Sequence, residues 1–401
     1  MNRLTNTIRP YAWGSVTAIP ELLGVEPTGE PQAEMWMGAH PGAPSLVDRG
    51  NGPIALNTVI DADPAAELGD AAVKRFGPRL PFLLKVLAAG APLSLQVHPD
   101  LDQARAGFAE EEARGVPIDA PERNYKDANH KPEMIVALSP FEGLCGFRRP
   151  EEAADLIEAL GVPGLTPYVD ILRAKPEDQA LREVLAAILG ADPEESADAV
   201  RAATEAAARL AEQPGPYAAA YAGCAQAAHS FPGDRGILAA MLLNHVQLQP
   251  GEALYLGAGV PHAYLDGLGV EIMANSDNVL RCGLTPKHID VPELQRVVRF
   301  ESGDPGVLRP EAAPDGEELY PAPIDEFRLS RYVLAPGADP RALAAGTPQI
   351  LLCTGGEVHL RHQGDPAGGL TLSQGESAFV PASEKVELTG DGTVFRATVT
   401  A

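Results

Sequence analysis

Four side chains of types that bind metals lie in three separate segments of the sequence. Gln96 and His98 are two residues apart after an apolar run, so on a strand both side chains leave the same face. Glu133 opens another apolar run, where a lone carboxylate is a poor choice for a core. His262 ends the turn-rich segment GAGVPH. Two imidazoles, one carboxylate and one amide oxygen suit a borderline ion such as zinc, and the single anionic ligand would leave it a Lewis acid.

Each of these signals is weak when it is taken alone. A Gln-x-His pair at a strand end also fits two polar side chains that face water. Glu133 also fits an edge strand on which it pairs with Lys131, two residues earlier. The metal-site hypothesis therefore depends on all three segments meeting in the fold.

Several charged residues follow the His262 segment. Arg281 and Lys287 fall in a loop-rich stretch, and the formal net charge of −24 means that only such a local cluster could attract a small anion. The alternative is that both are solvated turn charges. The same net charge argues against nucleic-acid and anionic-membrane partners, because both need a basic surface.

The residue pattern predicts a mainly β protein with an all-helical insertion. Short apolar runs broken by Gly and Pro indicate strands before residue 149 and after 236, apart from a short helix at 291–298. Between them, three-and-four spacing predicts amphipathic helices at 178–189, with Gly190 as C-cap, and 196–211. We therefore expect two β-barrel domains. The expected boundaries are 1–149 with 236–310 for the first domain, 150–235 for the insertion and 311–401 for the second domain.

The segment around His262 has a degraded copy near the end of the chain. Gly251 precedes the first copy and Gly375 precedes the second, and in each a turn follows a short apolar run. The position that matches His262 is occupied by Val386. This pattern predicts a duplicated strand-turn-strand unit in which only the first copy binds a ligand.

The sequence also indicates a cytoplasmic protein. No run of 18 apolar residues is present, and residues 1–6 carry no apolar segment behind their single charge, so neither a membrane span nor a signal peptide is expected. Four widely separated cysteines without Cys-x-x-Cys spacing favour reduced core thiols over disulfides.

Five segments in series resemble the type I mannose-6-phosphate isomerases of the cupin superfamily. They are YAWG at 11–14, EMWMGAHP at 34–41, LSLQVHP at 93–99, NHKPE at 129–133 and VLRCGLTPK at 279–287. Several motifs in one order are far more specific than any single motif. The resemblance implies that the barrels are cupin-type jelly rolls and that the substrate is a small phosphosugar.

The resemblance also implies roles for individual residues. It implies one zinc ion per chain held by Gln96, His98, Glu133 and His262, with Arg281 as the catalytic arginine. The remaining implied roles are phosphate binding by Ser94 and Lys287, a sugar pocket lined by Lys131, Glu271 and Asp277, and a substrate contact from Trp13. Leu101 departs from the family, in which many relatives carry a lysine after His-Pro-Asp or His-Pro-Asn.

The function implied is interconversion of mannose 6-phosphate and fructose 6-phosphate by a monomer. A proton would move between C2 and C1 through an enediol while charge on the sugar oxygens is stabilised. Glu271, Asp277, Lys131 and a zinc-bound water remain candidates for the proton carrier. Two alternatives stay open: an iron-dependent cupin oxygenase, and a sugar-binding cupin without catalysis.

Overall fold

The computed structural model describes residues 1–364 and 369–401, where 10-stranded, 9-stranded and 2-stranded sheets are formed. The strands are β1 Asn2–Arg3, β2 Thr7–Arg9, β3 Glu34–Met37, β4 Leu46–Asp48, β5 Pro53–Ala55, β6 Phe82–Ala89, β7 Leu95–Val97, β8 Glu133–Ala137, β9 Phe141–Phe147, β10 Leu243–Leu248, β11 Ala253–Leu256, β12 His262–Ala274, β13 Leu280–Gly283, β14 Glu311–Ala312, β15 Glu317–Tyr320, β16 Arg328–Leu334, β17 Arg341–Ala342, β18 Gln349–His362, β19 Gly369–Ser373, β20 Ser377–Val380 and β21 Val386–Thr398. The helices are α1 Ala18–Leu23, α2 Leu56–Ala62, α3 Pro64–Leu68, α4 Asp70–Phe76, α5 Leu101–Ala113, α6 Pro150–Ala159, α7 Thr166–Ala174, α8 Glu177–Gly190, α9 Pro193–Ala211, α10 Ala218–Ser230, α11 Gly236–Ala240 and α12 Val291–Val297.

The 10-stranded sheet is organised around β12, which pairs antiparallel with β6, β7, β8 and β9. Its register places His262 opposite Gln96 and Glu271 opposite Lys85. On the other side of β6, Lys85 lies opposite Trp36 of β3. These polar and aromatic side chains therefore occupy neighbouring positions across the sheet, because directly opposite residues share a face.

The helices from α6 to α11 pack on this sheet through one apolar core. Leu181, Leu185 and Ile188 of α8 recur at the expected spacing, are buried, and share that core with Leu280 and Leu284 near β13. The helical segment is therefore attached directly to the strand that carries Arg281.

The structure differs from the predicted elements in three details. Gly190 is the last residue of α8 and not its cap, since Ala191 occupies the cap position in an extended conformation. The helical texture also continues past residue 235 through α11, so β structure resumes only at β10. The region before residue 149 carries α1 to α5 besides its strands, including the 13-residue α5 that we did not predict.

The duplicated pattern corresponds to two similar strand pairs. In each, a four-residue strand is followed by a five-residue turn and a 13-residue strand: β11 and β12 in one case, β20 and β21 in the other. His262 and Val386 are the first residues of their long strands. The fold is mainly β, as the sequence predicted.

No helix in the described part of the chain is both long enough and apolar enough to cross a membrane. All four cysteines are free and buried, as expected for core thiols.

A shared core joins the two large sheets. Phe82 and Val270 of the first sheet and Leu329, Ile350 and Phe395 of the second belong to one buried apolar cluster. Because the cluster draws on both sheets, the C-terminal half supports the half that carries the predicted metal ligands.

Leu329 and Val333 lie on one strand, β16, but differ in burial, with exposures of 0% and 60%. We expect Leu329→Ala to lower the free energy of unfolding by about 2–5 kcal/mol, because it leaves a cavity in the shared core. Val333→Ala should change it by less than about 0.5 kcal/mol. Urea unfolding followed by circular dichroism measures both, and equal small losses would contradict the shared core.

Candidate metal centre and active site

Three potential metal ligands meet in the interior of the 10-stranded sheet. Glu133 Oε2 lies 3.4 Å from His98 Nε2 and 3.4 Å from His262 Nε2. One donor atom from each residue lies within 4.8 Å of the others, and all three side chains are buried. The predicted convergence of the three sequence segments is confirmed.

Backbone carbonyls orient both imidazoles. His98 Nδ1 donates to the carbonyl of Asn278 at 2.8 Å, and His262 Nδ1 donates to the carbonyl of Val260 at 2.9 Å. A carbonyl only accepts, so each proton lies on Nδ1 and each Nε2 offers a lone pair to the centre. This arrangement of outer partners is typical of metal-binding histidines.

The protonation states also suit a metal. Burial lowers the pKa of His98 to about 4, although the Glu133 carboxylate opposes the shift. Burial alone would raise the pKa of Glu133, but the positive charge of Lys131, whose Nζ lies 3.2 Å away, holds it well below its usual value. At neutral pH the centre therefore holds a neutral His98 and an ionised Glu133, the forms that bind metals.

Two buried atoms of this cluster lack a hydrogen-bond partner among the described residues. They are His98 Nε2 and Glu133 Oε2, and both point at the space between the ligands. Unsatisfied buried polar atoms are costly, and a cation would satisfy both at once. The residues present therefore fit a zinc ion.

Gln96 lies at the edge of the same cluster. Its Nε2 is 3.4 Å from His262 Nε2, while its Oε1 accepts from Arg281 Nη1 at 3.1 Å. Amide nitrogen and oxygen exchange places when the group rotates by 180°, which would turn the oxygen toward the centre. The structure thus brings Gln96 to the cluster, and its role as a ligand stays a prediction.

A cavity of about 820 Å³ opens above the cluster. This volume is in the range of sites for small molecules. His98 and His262 lie beneath its surface, fully buried. The other predicted site residues all line it: Trp13, Ser94, Gln96, Lys131, Glu133, Glu271, Asp277, Arg281 and Lys287.

One end of the cavity carries two cations without an acidic partner in the described part of the chain. Arg281 is hydrogen-bonded to the Ser94 hydroxyl and to Gln96, and burial lowers its pKa. The charge of Arg281, together with partial burial, lowers the pKa of Lys287. Two cations that repel each other in a partly buried pocket favour an anionic ligand.

The lining of the cavity also contains a buried charged group that the sequence analysis missed. Lys85 Nζ lies 2.9 Å from Glu271 and 3.4 Å from Glu34. Glu34 accepts from Trp36 Nε1 at 2.8 Å, and Glu271 accepts from the Tyr264 hydroxyl at 3.0 Å. A lysine within the run PFLLKVLAA was the available signal, because a buried lysine is almost always paired.

Burial and pairing oppose each other within this group. Burial alone would lower the pKa of Lys85, but Glu271 and Glu34 raise it above its usual value. Burial raises the pKa of Glu271 despite the opposing charge of Lys85. Lys85 is therefore a permanent cation, whereas Glu271 is a stronger base than an exposed glutamate.

Two further predicted residues differ in their surroundings. Lys131 Nζ lies 3.2 Å from Glu133, so it belongs to the metal end of the cavity. Asp277 Oδ1 lies 3.5 Å from His40 Nε2, and the Asp277 side chain is 58% exposed. A hydrogen bond with His40 lowers the pKa of Asp277 and keeps it ionised.

Leu101 does not line this cavity. It lies in a second cavity of about 540 Å³ together with Arg105 and Lys126. The departure from the family at this position therefore falls in a neighbouring cavity, which shares Asp277 with the first.

The fold and the site together define a mainly β protein whose buried metal-binding cluster opens into a cavity suited to a small anion. A family model described as phosphomannose isomerase type I, catalytic domain, matches residues 1–150. The chain is 42% identical over 400 residues to the mannose-6-phosphate isomerase of Escherichia coli K12, covering 99% of each. It is 33% identical to the enzyme of that name from Bos taurus, covering 96% of this chain and 94% of the relative.

Solved structures agree with these relatives. A point mutant of phosphomannose isomerase from Salmonella typhimurium matches with a TM-score of 0.92 at 39% identity, covering 100% of both chains. A zinc-bound mannose 6-phosphate isomerase matches with a TM-score of 0.91 at 39% identity, covering 100% of this chain and 99% of that one. The chain belongs to the type I mannose-6-phosphate isomerase family.

We expect the metal-free protein to bind one Zn²⁺ per chain, measured by isothermal titration calorimetry. Glu133→Gln should weaken binding by more than about 100-fold, because it removes the anionic donor of the cluster rather than an outer partner. His229→Ala is the control, since His229 is an exposed histidine on α10. Equal affinities for Glu133→Gln and the unchanged protein would contradict the assigned centre.

Proposed function

We propose that this protein is a zinc-dependent isomerase that interconverts mannose 6-phosphate and fructose 6-phosphate. One observation carries the proposal: the cluster of His98, Glu133 and His262 opens into the same cavity as the cations Arg281 and Lys287. A metal and a phosphosugar would thus occupy one pocket. The names of the relatives support the same reaction.

The metal end of the cavity would hold zinc through Gln96, His98, Glu133 and His262. Zinc bound there supplies a Lewis acid that stabilises negative charge on a sugar oxygen. Lys131, 3.2 Å from Glu133, adds a positive charge beside the same end.

The cationic end would bind the phosphate. Lys287 and the Ser94 hydroxyl are the proposed phosphate contacts, since both line that end of the cavity. Arg281 is hydrogen-bonded to the Ser94 hydroxyl and its Nη1 lies 3.1 Å from the Gln96 side chain, so it lies between the phosphate and the metal end. This position suits a guanidinium that stabilises charge developing on the sugar oxygens. Trp13, stacked on Tyr11, would form an apolar wall for the sugar.

Isomerisation requires a proton to leave C2 and return at C1 through an enediol. Among Glu271, Asp277 and Lys131, we assign this proton transfer to Glu271. Its pKa is raised, whereas that of Asp277 is lowered, and a base works best when its pKa approaches the working pH. Lys85 and Tyr264, which contact Glu271, would hold it in place.

We further propose that the fold consists of two cupin-type jelly rolls. The first would comprise residues 1–149 and 236–310, the second residues 311–401, with 150–235 as a helical insertion. The matching strand lengths around His262 and Val386 support a duplication. The second jelly roll would then be a structural module, because Val386 cannot bind a metal.

The protein would act as a cytoplasmic monomer without nucleic-acid or membrane partners. The net charge of −24 disfavours polyanionic surfaces and favours mutual repulsion between copies.

Purified protein should convert mannose 6-phosphate to fructose 6-phosphate, lose this activity on chelation and recover it with zinc. A coupled spectrophotometric assay measures the conversion, with circular dichroism to verify that the chelated protein remains folded. Absence of turnover by folded, zinc-loaded protein would exclude the isomerase. Iron-dependent oxygen consumption would then favour the oxygenase, and sugar binding without turnover the non-catalytic cupin.

Glu271→Gln should lower kcat by about 10³-fold, within the range for loss of a general base. Asp277→Asn should lower it by less than about 10-fold. Solvent deuterium incorporation at C1 and C2, followed by NMR, measures the proton transfer itself. Zinc content and thermal unfolding are recorded for both variants, because Glu271→Gln also alters a buried ion pair. A larger loss of kcat in Asp277→Asn than in Glu271→Gln would assign the base to Asp277 instead.

A further inference from the structure

The loop that carries Lys287 begins with an unusual backbone conformation. It follows β13, whose Arg281 faces the cavity, and Leu284 has a φ of 53°. Leu284 is the non-glycine residue with positive φ in the described part of the chain. Such a conformation is unfavourable for a branched side chain and persists only where surrounding contacts impose it.

One carboxylate of the helical segment is hydrogen-bonded to the residue that follows Leu284. Asp234, in the turn between α10 and α11, accepts from the Thr285 backbone N–H through Oδ2 at 2.9 Å. Its Oδ1 accepts from the Gly236 backbone N–H at 2.6 Å. Asp234 therefore ties the start of α11 to the residue directly after the strained Leu284.

Two glycines allow the backbones to approach closely enough for this link. A Cβ on Gly236 would lie 2.4 Å from the Leu284 nitrogen, and a Cβ on Gly283 would lie 2.4 Å from the Gly236 Cα. Any side chain at either position would separate the helical turn from the loop.

The same turn also reaches the cavity. Ser230 and Phe231 line it together with Thr285, Pro286 and Lys287. The end of the helical segment and the loop thus form one wall at the cationic end.

Repulsion between the two cations explains why the loop has to be held in place. Arg281 and Lys287 repel each other, as the lowered pKa of Lys287 indicates. A carboxylate paired directly with either cation would hold it but would neutralise the attraction for an anion. Asp234 bonds backbone amides instead, and in the described part of the chain it forms no ion pair with either cation.

We propose that Asp234 is a positioning residue through which the helical segment holds the loop that follows β13 and presents Lys287 to the substrate phosphate. This proposal rests on the proposed function. It assigns the helical segment a part in phosphate affinity, in addition to its packing on the sheet.

Asp234→Asn tests the proposal with almost no change in volume. An amide has one acceptor atom, so it can satisfy either Thr285 or Gly236 and presents an N–H group to the other. We expect KM for mannose 6-phosphate to rise about 10-fold, in line with loss of a charge-assisted hydrogen bond. kcat should stay within about 3-fold, and Kd for inorganic phosphate, measured by ³¹P NMR titration, should rise about as much as KM.

Asp192→Asn is the matched control. Asp192 also accepts two backbone N–H groups in the helical segment, but through one oxygen, at 2.8 and 3.1 Å, so an amide keeps both bonds. Phosphate affinity of this variant should remain within about 2-fold of the unchanged protein.

Gly236→Ala tests the same contact without changing Asp234. Its Cβ would push the helical turn away from the loop, so it should also raise Kd for phosphate. Gly190→Ala is its control, because no atom lies within 4 Å of a Cβ at that position. Unchanged phosphate affinity in folded Asp234→Asn, or equal losses in the controls, would overturn the proposal. Phosphate binding is independent of turnover, so an unchanged protein that binds phosphate without isomerising the sugar would disprove the proposed function alone.

Discussion

The pairing of β12 with four neighbouring strands is the constraint on which the site depends. Its 13 residues begin with His262 and contain Glu271, which lies opposite Lys85 on β6. A slip of one residue would move every side chain of β12 to the other face. The apolar neighbours of Glu271 on β12, Val270 and Ile272, are buried in the core that joins the sheets, so such a slip would expose them to water. Core packing therefore fixes the register that assembles the chemistry.

The distribution of charge within the cavity follows from this register. Lys85 is paired with two carboxylates, whereas Arg281 and Lys287, which line the same cavity, have none in the described part of the chain. Burial strengthens both the attraction within the Lys85 group and the repulsion between Arg281 and Lys287, because interactions between charges are weakly screened away from water. An acidic protein can thus attract an anion locally while its surface repels polyanions.

The potential metal ligands could be predicted from the sequence, because burying a polar or charged side chain within an apolar segment costs free energy unless it has a partner. His98, Glu133 and His262 all met as expected. Lys85 and Asp234 were missed because their roles depend on partners that are distant in the chain, namely Glu271 and the Thr285 amide. Helix α5 was missed because its apolar face is small: only Ala104 and Glu111 are buried along its 13 residues. Local patterning identifies candidate chemistry, whereas the pairing of strands decides which residues support it.

The contrast between His262 and Val386 explains how one strand pattern serves two purposes. His262 bonds the Val260 carbonyl through Nδ1 and directs its other nitrogen toward the cluster that it forms with His98 and Glu133. Val386 packs among Val358, Val380 and Leu388, all of them buried. Burying an aliphatic side chain contributes about 1.5–3 kcal/mol, whereas a metal site leaves buried acceptor atoms unsatisfied when no ion is bound. The polar centre of the first sheet costs stability. The apolar interior of the C-terminal sheet, together with the shared core, can offset that cost.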